Sequence, residues 1–89
     1  MGIYEKRREV ISMVRGYVLI NADPGKAGDA LKKIVKIKGV KFAEAVTGPY
    51  DIIALAEAAN FNDLGKLVVS KIQKVAGVRG TLTNPVVEL

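Results

Sequence analysis

Cysteine and histidine are both missing from this chain of 89 residues. Without cysteine there is no disulfide, no thiolate metal site and no cysteine nucleophile. Without histidine the commonest general base near neutral pH and the commonest zinc ligand are gone as well. Any catalysis would fall to nine carboxylates, three tyrosines and the lysines. That set points away from an enzyme, and neither a metal nor a cofactor is expected. Also lacking is any apolar run of about eighteen residues, so no membrane-spanning helix is expected. Arg7, Arg8, Glu9 and Arg15 interrupt every apolar stretch near the N-terminus, which leaves no signal-peptide core. The expected address is the cytoplasm.

What remains is the composition of a folded domain, 49% hydrophobic and 26% charged, in a length that suits one domain. Fourteen Lys and Arg against nine Asp and Glu give a net charge of +5. Such an excess fits nucleic acid, an anionic surface or a solvated exterior, and its distribution must decide.

A weak internal repeat organises the chain. Residues 35–41 read Val-Lys-Ile-Lys-Gly-Val-Lys and residues 73–79 read Gln-Lys-Val-Ala-Gly-Val-Arg. Each is a basic helical end, then a glycine, then a valine that opens an apolar run. Gly39 and Gly77 suit the left-handed position that stops a helix. Ahead of the first copy, the β-branched stretch Tyr17–Ala22 ends at Asp23-Pro24-Gly25, where Asp23 is expected to cap a helix and Pro24 to enter its first turn. Ala27, Ala30, Leu31, Ile34 and Val35 then follow helical spacing, with Lys32, Lys33 and Lys36 opposite. A second helix is expected from Asn60, as its cap, with the stripe Phe61, Leu64, Leu67, Val68, Ile72 and Val75. Strands are expected over 40–47, 51–58 and about 78–87, where Pro85 implies a bulge or an exposed edge. The order is β-α-β-β-α-β, an α+β ferredoxin-like two-layer sandwich.

Two helices cover one face of a four-stranded sheet, so the other face should alternate to polar residues. It does not. Val18, Leu19 and Ile20 are consecutive, as are Ile52 to Ala56. Such strands need a second layer, which points to another copy and at least a homodimer formed through that face.

The turn Thr47-Gly48-Pro49-Tyr50-Asp51 is the most unusual local sequence. Glycine and proline together explain a tight hairpin connection without further purpose. The same turn can also present backbone N–H groups as a small anion nest, with the Tyr50 ring and the Asp51 charge beside it. Donors for a carboxylate next to an acceptor for an ammonium suit a free amino acid. Thr81 and Thr83 share one face of their strand, either as plain β-formers or as ligand contacts.

With Pro24-Gly25-Lys26, Gly39-Val40, Val46 to Asp51, Gly77-Val78 and Thr81-x-Thr83 in place, the segment from about Tyr17 to Val87 resembles a known family. It is similar to the ligand-binding (RAM) module of the Lrp/AsnC regulators. The resemblance implies a ferredoxin-like fold, pairing through the sheets, assembly into dimers or larger homo-oligomers, and small effectors, typically amino acids, at interfaces. It implies effector contacts from Gly48, Tyr50 and Asp51 in the turn and from Thr81 and Thr83 in the last strand. Full members carry a winged helix-turn-helix for DNA, whereas here only residues 1–15, a basic amphipathic arm, precede a domain of residues 16–89. The sequence therefore reads as a stand-alone module that acts on transcription indirectly, without direct sequence-specific contact to nucleic acid. Full-length Lrp/AsnC-type regulators are the expected further partners. Other roles stay open: an assembly partner with no effector of its own, or a small dimeric enzyme using Tyr50, Asp51 or Glu57. Base stacking in the manner of RNA-recognition modules is disfavoured, because Ile52–Ala58 has no aromatic residue.

Overall fold

The computed structural model describes residues 13–89. Six elements succeed one another: β1 (Val14–Ala22), α1 (Ala27–Ile34), β2 (Val40–Ala45), β3 (Ile52–Ala58), α2 (Phe61–Leu67) and β4 (Val78–Pro85). The strands form one antiparallel sheet in the order β2-β3-β1-β4. This is the expected ferredoxin-like β-α-β-β-α-β fold. β1 opens at Val14, opposite Ala58; the arm expected before it lies, up to residue 12, outside the described residues. No helix of the described residues is long and apolar enough to cross a membrane.

The core lies between sheet and helices because alternate strand residues meet the apolar helical stripes. Val18 and Ile20 of β1, Ile52, Ala54 and Ala56 of β3, Ala30 and Ile34 of α1, and Leu64 of α2 are buried together. Small residues let the layers approach. A methyl group on Gly16 would lie 2.9 Å from a Leu64 methyl, so α2 sits directly on β1 there.

The repeat is visible in the backbone. After α1, Ile37 N–H donates to the Ile34 carbonyl and Val40 N–H to that of Ile37, at 3.1 and 3.0 Å. After the second helix, Val75 donates to Ile72 and Val78 to Val75, both at 3.1 Å. Gly39 (φ 100°) and Gly77 (φ 93°) are left-handed as expected. They stand one turn beyond the helix ends, however, where they launch β2 and β4 and do not stop the helices themselves.

Two other local expectations change. Asp23 does not cap α1: its carbonyl accepts the Lys26 N–H at 2.9 Å across Pro24-Gly25, and Gly25 has φ 76°. Proline followed by a left-handed glycine is a type II turn, which takes the place of the cap. Phe61 leaves the apolar stripe and is 53% exposed, joining Val69 on the outer side of α2. Asn60 does cap α2, its Oδ1 accepting the Asp63 N–H at 2.7 Å. The helix then widens into a π turn over Val68–Ile72 that keeps both of those residues buried.

The second face of the sheet carries two largely apolar rows, one ending on Asn84 and the other on Glu44. Pairing places Phe42, Leu55 and Tyr17 side by side, and Ile53 beside Leu19 and Leu82. Leu55, flanked by two aromatic rings, is only 9% exposed, whereas Tyr17, Phe42 and Leu82 remain exposed. No element of the described residues covers them.

Candidate effector site

β1 ends, β3 begins and β4 begins at one end of the sheet, since Ile20 pairs with both Ile52 and Thr81. The connection from β2 to β3 closes there, with Val46 N–H donating to the Asp51 carbonyl at 2.9 Å. Gly48 at its tip has φ 125°, and a methyl group there would meet nothing within 4 Å. Backbone conformation, and not lack of room, is what requires glycine. Tyr50 is half-buried at the foot of the turn.

Asp51 is committed to the fold. Its Oδ2 accepts the Ala22 N–H at 2.8 Å, and its own N–H donates to the Ile20 carbonyl at 2.9 Å. The β1–β4 register shifts between Asn21 and Ala22, so the last amide of β1 finds its partner in this carboxylate. One carboxylate oxygen supports the backbone; Oδ1 is left to meet another group.

Thr81 and Thr83 do share a face, and it is the face toward the helices. They pair with Ile20 and Val18, which are fully buried beneath the helices. Thr83 packs near Gly16: a methyl group on that glycine would lie 3.3 Å from the Thr83 Cγ2. Thr81 Oγ1 accepts a hydrogen bond from Gln73 Nε2 at 2.8 Å. Within one protomer, β1 separates Asp51 from Thr81 by two strand spacings, about 10 Å. Thr83 stands two residues further along the strand, about 7 Å. The structure therefore gathers Gly48, Tyr50, Asp51 and Thr81 at one end of the sheet and leaves Thr83 toward its middle.

Sequence reasoning missed Gln73. One signal was available: in the repeat Gln73 stands where the first copy has Val35, a polar residue in an apolar place. A cleft of about 540 Å³ opens at the opposite end, walled by Lys38, Val40, Lys41, Glu57, Asp63 and Leu67. Lys41 and Glu57 offset each other across it at 3.6 Å. None of the expected effector residues line it. Among the described residues no cluster of acidic side chains is arranged to hold a metal ion.

The Lrp/AsnC ligand-binding domain model matches residues 15–89, from the start of β1 through β4. The chain belongs to this family. An uncharacterized HTH-type transcriptional regulator of Pyrococcus furiosus is 36% identical over 70 residues, 75% of this chain and 47% of the relative. This Lrp/AsnC chain thus spans about half the length of the curated regulators it matches. A crystal structure of a Thermus thermophilus protein, TTHA0845, is 26% identical with a TM-score of 0.80, and the match covers 85% of this chain and 95% of that one. A feast or famine regulatory protein from M. tuberculosis, solved in complex with L-methionine, is 25% identical with a TM-score of 0.73, covering 85% of this chain and 51% of that one. Outside the regulators, homocitrate synthase of Sulfolobus acidocaldarius is 38% identical over 53 residues, 60% of this chain and 11% of the enzyme.

Proposed function

We propose that this Lrp/AsnC domain binds a small effector, an amino acid, at interfaces of a homo-oligomer and modulates transcription through its assembly. The observation that carries this reading is the uncovered apolar sheet face, with Tyr17, Phe42 and Leu82 exposed and Leu19 and Ile53 half-exposed, in a domain of a ligand-binding family. Covering a large apolar side chain contributes roughly 1.5–3 kcal/mol when burial is complete, and a second copy offers the same surface in return. Pairing leaves the Gly48–Asp51 turns and the β4 edges of neighbouring copies free to meet. Gly48, Tyr50, Asp51, Thr81 and Thr83 are the effector residues in this reading, with Asp51 receiving the ammonium through Oδ1. The methionine bound to the M. tuberculosis regulator supports the amino-acid class. In this reading DNA is contacted by a DNA-binding domain of the Lrp/AsnC type and not by this domain's sheet. Catalysis forms no part of the role.

Assembly without any effector is the second reading. It is favoured by the engagement of Asp51 with Ala22, which gives that side chain a structural purpose of its own. A thermal-shift screen of the standard L-amino acids at millimolar concentration, paired with sedimentation velocity, separates the two. A ligand that binds only the folded state raises the melting temperature by linkage. Stabilisation by one or a few amino acids on an oligomer is the expected result. An oligomer indifferent to all of them leaves the assembly role alone, and a monomer removes both.

A further inference from the structure

The second helix abandons α geometry where it approaches β4, and this has a chemical result. Over Val68–Ile72 it widens to a π turn, closed by Gln73 N–H donating to the Val68 carbonyl at 2.8 Å. Single π turns inside helices recur at functional sites, because one extra residue re-aims the side chains beyond it. The first of those side chains is Gln73, whose amide reaches Thr81 on the edge strand. A threonine hydroxyl has one proton and two lone pairs. With Gln73 donating into a lone pair, the proton is left to be given elsewhere. Thr81 thereby keeps a proton to donate, at the end of the sheet where β3 also begins.

We infer that Gln73 is a positioning residue that holds Thr81 as a hydrogen-bond donor, so that the site selects a ligand carboxylate over the corresponding neutral amide. The inference rests on the effector reading above and adds to it a residue that does not itself touch the ligand. A carboxylate accepts a stronger, charge-assisted bond than an amide carbonyl, and that difference is what Thr81 reads.

The test uses the standard L-amino acids and their primary amides as probes, with thermal shift followed by calorimetry on the full chain. The wild type is expected to bind acid over amide. Thr81→Val and Gln73→Met should each reduce that preference about tenfold. The double variant should reduce it no further, because Gln73 acts through Thr81. Gln73→Glu, whose carboxylate captures the Thr81 proton, should weaken binding at least as much as Gln73→Met. Gln73 is exposed, and the melting temperature of each unliganded variant checks that the fold is kept. If the wild type binds and Gln73→Met keeps the full preference, or if the two losses simply add, this inference falls while the effector reading stands. If the wild type responds to none of the probes, both fall together.

Discussion

The carboxylate of Asp51 accepts the amide hydrogen of Ala22 at 2.8 Å, across 29 positions of chain. A side chain from the β2–β3 connection thus completes the hydrogen bonding of the central strand β1. Asp51→Ala leaves that part-buried amide without its partner and should cost about 1–3 kcal/mol in urea denaturation. Asp51→Asn retains an oxygen acceptor and should stay near wild type in stability. It removes the negative charge, so it should still weaken the binding of any ammonium-bearing effector. The pair of variants separates the structural role of this residue from its proposed binding role.

Two glycines should respond to alanine in opposite directions. Gly77 has φ 93°, and a methyl group there would lie 2.8 Å from Lys26 Cβ. The left-handed backbone alone costs roughly 1–2 kcal/mol, and the contact adds to it. Gly65 lies within α2, and a methyl group there meets nothing within 4 Å. Its replacement should stabilise the protomer by roughly 0.5–1 kcal/mol. Calorimetric melting of the two variants should bracket the wild type.

Asn60→Ala removes the acceptor for the Asp63 amide at the start of α2 and should destabilise by about 1 kcal/mol. Asn60→Asp, which keeps an oxygen in the same place, should recover most of the loss. Equal melting temperatures for all three chains would show that the cap contributes nothing.

Tyr17 stands in the middle of the uncovered sheet face, between Leu55 and Asn84, and is 39% exposed in the protomer. Tyr17→Glu should therefore leave the circular dichroism spectrum unchanged while placing a charge in the proposed contact between copies. Sedimentation velocity at micromolar concentration should show the wild type as a dimer or larger and the variant as a monomer. Retention of the assembled mass would exclude this face as the interface.

Much of the architecture is legible in the sequence because local patterns and tertiary demands agree. Helical stripes, β-branched runs and the glycine of each repeat all indicate β-α-β-β-α-β. Asp23 misleads because its cap signal overlaps a Pro24-Gly25 turn, and a left-handed Gly25 closes that turn without help from the side chain. The π turn is not legible in the sequence, where Leu64, Val68 and Ile72 keep the spacing of an ordinary helical stripe. Strand alternation shows that Thr81 and Thr83 share a face. Only their register against Ile20 and Val18 reveals which one. The Asp51–Ala22 and Gln73–Thr81 bonds join separate elements, so no local reading of either residue exposes them.

With strand order β2-β3-β1-β4, the tip of β1 is gripped from both flanks: Asp51 holds Ala22 on one side, and β4 shifts its register at the same residue on the other. The glycine-proline loop and the opening of the opposite border strand are therefore anchored to the same residue of β1, so one rung of backbone joins the two flanks of the sheet.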